Sequence, residues 1–226
     1  VPMDSDGESF LAAVDTKYGK NIWKIERPRA INWVTPTTRK NGDNTEIVFS
    51  TAKGIAGYNA VDGKKVWTFP IDSGTIATTI THGEQLLVPV SGNLFCLKPE
   101  GEKVTEVWKS PKLSPGSSTP LVYKDRIYSI GKASTLVSAE AQTGKEIWSE
   151  RVSKGKGQFW ASPIAADGKI FTFDDAGVCF VLTAGGAMPE VLATNDMKEE
   201  IMGTPAIANG SLYIRTVTGL YCIQKK

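Results

Sequence analysis

Apolar and polar residues alternate along this chain in short runs, and no stretch sustains an apolar period of 3.6 residues. Alternation of this kind predicts half-buried β-strands and almost no helix. Three short continuous apolar runs recur among them: Leu94–Leu97 after Gly92-Asn93, Val178–Val181 after Gly177, and Leu220–Ile223 after Gly219. Each is opened by glycine, which supplies the turn that starts the strand.

The runs recur in phase with two other marks. Asp15-Thr16-Lys17-Tyr18-Gly19-Lys20-Asn21-Ile22-Trp23, Gly63-Lys64-Lys65-Val66-Trp67 and Thr143-Gly144-Lys145-Glu146-Ile147-Trp148 share one pattern, and Glu106-Val107-Trp108 holds the same slot. The tryptophans at 23, 67, 108 and 148 are 44, 41 and 40 residues apart. In a fifth, degenerate copy, Leu192 stands where tryptophan is expected. Thr35-Pro36, Thr119-Pro120, Ser162-Pro163 and Thr204-Pro205 repeat with the same period, with Thr78-Thr79 in the remaining slot. Downstream of each lies a tight-turn pair: Asn41-Gly42, His82-Gly83, Lys124-Asp125, Asp167-Gly168 and Asn209-Gly210. Asn-Gly and Asp-Gly provide the positive φ angles of two-residue hairpins.

Each unit of about 42 residues therefore reads as four short antiparallel strands, which is the pattern of a β-propeller blade. The expected fold is all-β, a propeller of four-stranded antiparallel blades, about five plus a partial one. The expected division is a partial blade over 1–31, full blades over 32–74, 75–115, 116–158 and 159–200, and a last blade over 201–226 without its fourth strand. A β-sandwich would show turn signals at strand spacing but no in-register four-strand cassette.

Composition narrows the chemistry. The 226 residues carry a formal net charge of +2, so no single-sign field suggests nucleic acid or a membrane surface. Cys96, Cys179 and Cys222 cannot all pair, and their apolar third-strand positions suit small buried hydrophobes. A single histidine, His82, excludes a multi-His metal centre and argues against a Ser-His-Asp engine; its turn slot suggests solvent exposure. No apolar run approaches ~18 residues, so no membrane span is expected. Val1-Pro2-Met3-Asp4 does not read as a signal peptide, and the absence of an initiator Met suits a processed or excised chain. Asn209-Gly210-Ser211 matches a glycosylation acceptor but is explained by the hairpin turn.

The motif small–x–Asp–x–x–Thr–Gly–Lys–x–x–Trp resembles the tryptophan-docking repeat of quinoprotein-type (PQQ-like) propellers. Ala13 through Trp23 matches with Tyr18 for Thr, Ser138 through Trp148 with Glu140 for Asp, and Gly57 through Trp67 with Asn59 for Asp and Asp62 for Thr. The resemblance covers nearly the whole chain and implies that Trp23, Trp67, Trp108 and Trp148 dock between neighbouring blades. It also implies seven or eight blades, so that this chain resembles the C-terminal portion of such a protein. Another polypeptide, whether missing N-terminal blades or a second copy, is then expected to complete the ring. The alternative is a smaller closed ring in which Ile22–Glu26 pairs onto the last unit. An extracytoplasmic, periplasmic location follows from the same resemblance.

Quinoprotein dehydrogenases hold a quinone beside a vicinal Cys-Cys pair with a calcium ion on oxygen ligands. Here there is no Cys-Cys, and Asp174-Asp175 before Ala176-Gly177 reads as an ordinary turn. PQQ and calcium are therefore not expected, and no catalytic residue is assigned. Three residues before each slot's second residue stand Trp33, Ile76, Ser117, Trp160 and Met202, which differ from unit to unit as a site would. With Arg29, Lys156 and Gln158 nearby in sequence, Trp33, Trp160 and Met202 make a candidate ligand-binding rim on the funnel that the resemblance implies. Two functions stay open: a non-catalytic binding scaffold, as in outer-membrane-assembly lipoproteins with this repeat, or a degenerate quinoprotein oxidoreductase or carbohydrate-active module.

Overall fold

Twenty-two strands in six antiparallel sheets account for nearly all the regular structure of the described residues in the computed structural model, which are 1–51, 53–73, 76–155 and 157–224. They fall into two compact units, Val1–Lys109 and Ser110–Lys226.

The first unit opens with β1 (Pro2–Met3), β2 (Phe10–Val14) and β3 (Asn21–Glu26) in that spatial order. A four-stranded sheet follows, β4 (Thr37–Asn41), β5 (Asn44–Thr51), β6 (Gly54–Asn59) and β7 (Lys65–Phe69). Next comes a second, β8 (Ile80–His82), β9 (Gln85–Val90), β10 (Asn93–Glu100) and β11 (Lys103–Ser110). Between these two sheets Val48, Ile55, Trp67, Leu86, Val88 and Leu97 form one buried cluster. Burial of such side chains contributes roughly 1.5–3 kcal/mol each.

The second unit holds β12 (Leu121–Tyr123), β13 (Arg126–Ile130), β14 (Thr135–Glu140) and β15 (Glu146–Arg151) in one sheet. The next is β16 (Ile164–Ala166), β17 (Lys169–Phe173), β18 (Val178–Thr183) and β19 (Val191–Asp196). The last has three strands, β20 (Ala206–Ala208), β21 (Ser211–Arg215) and β22 (Leu220–Gln224). Tyr128, Trp148, Ile170 and Leu182 belong to one core cluster of this unit, and Phe173, Val181, Ile201 and Ile214 to another.

Register explains the sequence marks and corrects several of them. Lys124-Asp125, Asp167-Gly168 and Asn209-Gly210 all have positive φ, as type I′ hairpins require. In the first two hairpins the loop sits one residue later, at Gly42-Asp43 and Gly83-Glu84, because Asn41 pairs with Asn44 and His82 with Gln85. Only the glycine there has positive φ, as in type II′ turns. His82 consequently ends β8 and is half-buried rather than exposed.

A bulge recurs between the third and fourth strands. Ala13, Gly57 and Ser138 lie opposite Trp23, Trp67 and Trp148, and the pairing then skips Ile22, Val66 and Ile147. In the sheet β16–β19, Val181 faces Ala193 and Leu182 faces Val191. Leu192 is thus the skipped residue, and Ala193 holds the tryptophan slot. Pro2–Met3 also adds a short strand beside β2 in the first sheet. Cys222 departs from the expectation of burial. Cys96 and Cys179 are buried, but Cys222 is exposed on β22, which has no fourth strand beside it among the described residues.

Candidate functional site

The Gly-Lys turns that precede the tryptophans are built alike. Asp15, Asn59 and Glu140 each donate a backbone N–H to the carbonyl of Lys20, Lys64 or Lys145 and accept one from Gly19, Gly63 or Gly144. Those glycines have φ of 67°, 71° and 68°, a region that disfavours side chains. Trp23 reaches across to the next sheet, where its Nε1 donates to the Ala60 carbonyl at 3.0 Å and its ring lies against Gly63. Trp67 is 2 % exposed and its Nε1 donates to the Glu46 carboxylate at 2.8 Å. Trp148 is buried with its ring 6.0 Å from that of Tyr128. Trp108 is half-buried on β11, and the Nε1 atoms of Trp108 and Trp148 meet no hydrogen-bond partner among the described residues.

The slots before the first strands form a relay. The Thr35 N–H donates to Thr78 Oγ1 at 3.1 Å in the first unit. In the second, the Thr119 N–H donates to Ser162 Oγ at 3.0 Å and the Ser162 N–H to Thr204 Oγ1 at 2.9 Å. Within the first unit one lead-in segment is thereby fastened to the next, and within the second unit three are fastened in series. Trp33 and Ile76 occupy equivalent places on two fastened segments, as do Ser117, Trp160 and Met202. Trp33 is 67 % exposed, Ile76 38 %, Trp160 37 % and Met202 45 %. Arg29 is exposed in the first unit, and Gln158 is exposed in the second. Lys156 lies outside the described residues. Of the expected rim residues, Gln158 and Trp160 line a common cavity.

That cavity, of about 420 Å³, is bounded by the β13–β14 turn and the β15–β16 connection, with Gly116 and Ser117 on the third side. Ala133 and Ser134, consecutive and non-glycine, both have left-handed φ (59° and 58°) on its wall. The opposite wall is pinned from behind. Asp175 accepts the Gln158 N–H through Oδ1 at 2.8 Å and donates its own N–H to the Gln158 carbonyl at 2.8 Å. Gly157 has no room for a Cβ, which would stand 2.7 Å from the Asp174 carboxyl group. Asp174 is buried, accepts the Val178 N–H, and has its pKa raised, chiefly by burial. Asp174-Asp175 is thus a turn, as its sequence suggests, and also a clamp on the cavity wall.

Sequence reading missed two buried ion pairs of the first unit. Arg27 grips Asp4 through two nitrogens at 2.9 and 3.2 Å and lies over the Phe49 ring, while Asn32 donates to the same carboxylate. Arg39 Nη1 is 2.9 Å from Glu46 Oε2, and its other nitrogens donate to the Pro99 and Glu84 carbonyls. Glu199 collects hydroxyls from Thr216, Thr218 and Tyr221, which lower its pKa. Among the described residues no group of three or more His, Cys, Asp or Glu is placed to hold a metal ion, and no helix is long and apolar enough to cross a membrane.

The family described as outer membrane protein assembly factor BamB, of the PQQ_2 type, matches residues 6–226. The chain belongs to that family. It is 23 % identical over 166 residues to the outer membrane protein assembly factor BamB of Shewanella oneidensis, covering 65 % of this chain and 40 % of that protein. It is also 32 % identical over 96 residues to the quinoprotein alcohol dehydrogenase PedH of Pseudomonas putida, covering 40 % of this chain and 15 % of that protein. Each match therefore spans well under two thirds of the curated relative. The crystal structure of BamB from Moraxella catarrhalis superposes with a TM-score of 0.70 at 15 % identity, covering 97 % of this chain and 70 % of that one. The fold is that of an all-β propeller protein.

Proposed function

We propose that this chain is part of a non-catalytic propeller scaffold that binds other proteins outside the cytoplasm, in the assembly of outer-membrane proteins. The observation that carries this reading is the set of exposed apolar side chains, Trp33, Ile76, Trp160 and Met202, on lead-in segments fixed by the hydroxyl relay. Large apolar residues held exposed on a rigid frame suit protein contact. Family membership over residues 6–226 supports the assembly role. The lack of vicinal cysteines in the sequence supports a scaffold that works without quinone or calcium.

A further polypeptide segment completes the last sheet along β22. The other full sheets carry a fourth strand at this edge, and here Leu220, Tyr221 and Ile223 are exposed instead. Its arrival shields Cys222, so the thiol's labelling rate reports completion.

The test is complementation. A strain lacking the gene is expected to have reduced outer-membrane β-barrel proteins, restored by the wild-type gene. A Trp33→Ala/Trp160→Ala variant expressed at equal level is expected to restore them poorly. Full rescue by the variant, or alcohol oxidation by the purified protein loaded with PQQ and calcium, would overturn the reading.

A further inference from the structure

The β15–β16 connection is longer than its counterparts. Ser162 stands 14 residues after Trp148, whereas Thr35, Thr78 and Thr119 stand 12, 11 and 11 residues after their tryptophans. The additional residues build the cavity wall that includes Gly155, Gly157 and Gln158. An insertion confined to one unit of a repeat is not needed by the scaffold, since the other units fasten without it.

The chemistry of the cavity is mixed and specific. Trp160 offers a partly exposed indole, and Arg151 and Gln158 offer planar polar groups. Ser117 and Ser134 belong to the lining, as do Gly116, Gly131, Gly155 and Gly157. Arg151 is held by its Nε–H donating to the Ser153 carbonyl at 3.0 Å. It carries the single formal charge among the described lining residues, and the Asp174-Asp175 pair stands directly behind Gly157-Gln158. Among the described lining residues the surface is otherwise polar and uncharged, which suits a polar ligand. A volume of about 420 Å³ is within the range of small-molecule sites. The wall is preorganised by the paired Asp175–Gln158 hydrogen bonds, and Ala133 and Ser134 hold left-handed φ on the facing turn.

We infer that this cavity is a binding site for a saccharide, one ring stacked on Trp160 with its hydroxyls held by Gln158 and Arg151. Aromatic faces take the C–H face of a sugar ring, and planar polar side chains serve vicinal hydroxyls. The site shares Trp160 with the scaffold reading but is tested separately, since complementation can fail while the saccharide binds, and the reverse.

Saturation-transfer NMR and calorimetry on the full-length protein with chitotriose and maltotriose test it. At least one trisaccharide is expected to bind saturably, and Trp160→Ala and Gln158→Ala, each with unchanged far-UV circular dichroism, are expected to weaken it tenfold or more. Tyr18→Ala, an exposed aromatic in the other unit, is expected to leave it unchanged. The inference is overturned if neither trisaccharide binds at millimolar concentration or if both cavity variants bind normally. It is also overturned if glucuronate and acetate bind as well as the trisaccharides and are displaced by salt, since the cavity would then read charge rather than a ring.

Discussion

Trp23 and Gly63 touch across two sheets: a Cβ on Gly63 would stand 2.8 Å from the indole ring, and φ of 71° already forbids an ordinary side chain there. Replacing Gly63 by Ala is expected to cost about 2 kcal/mol or more through backbone strain and displacement of the ring. Trp23→Ala is expected to cost ~3 kcal/mol. The double variant should cost less than their sum, because the first change already unseats the second partner. Urea denaturation of the four proteins measures this; strict additivity would place Trp23 elsewhere in solution.

The Arg39–Glu46 pair should be far more sensitive to halving than to removal. Both side chains are at most 3 % exposed, and Glu46 also accepts from Trp67 and Asn41. Glu46→Gln leaves a buried guanidinium uncompensated, at a cost of about 3–5 kcal/mol. Arg39→Met combined with Glu46→Leu is expected to recover most of that stability, as read by thermal unfolding.

Asp174 sets a pH dependence of known sign. Burial raises its folded pKa above the ordinary 3.8, so the folded state holds the proton more tightly than the unfolded chain. Its contribution is then favourable at pH below 3.8 and is lost as pH rises through the folded value. Asp174→Asn retains an acceptor for the Val178 N–H and is expected to stabilise the protein at pH 7 but not at pH 3.5. Denaturation at both pH values checks it, and an equal effect at both would assign the gain to something other than ionisation.

Thiol chemistry should separate the cysteines. Burial pushes Cys96 and Cys179 up to about 12, so neither forms thiolate near neutral pH. Both are expected to resist Ellman's reagent at pH 8 until the protein unfolds. Rapid labelling of either in the folded protein contradicts the packing of β10 or β18.

Periodicity made the sheets legible because three of them repeat one steric problem, with Trp23, Trp67 or Trp148 over a small residue beside a left-handed glycine. Residues outside that repeat were not legible. Pro2–Met3 is too short to alternate, and Ala193 took the slot of Leu192 because the bulge moves register by one residue. Arg27 and Asp4 meet 23 residues apart with no shared pattern. Arg39 and Glu46, by contrast, are direct cross-strand partners flanking the Gly42-Asp43 turn, so hairpin register alone could have paired them. The cavity's left-handed Ala133-Ser134 pair carries no glycine or asparagine to announce it.

The fastenings Thr35–Thr78, Thr119–Ser162 and Ser162–Thr204 have a consequence for how such a chain changes over generations. Each fastening needs one amide and one hydroxyl about 43 positions later, and nothing else from its neighbours. A whole cassette can therefore be duplicated or lost without severing a bond that the remaining cassettes require. The same tolerance extends to the connections between fastenings, which can lengthen in one cassette alone and acquire a chemistry that its siblings never had.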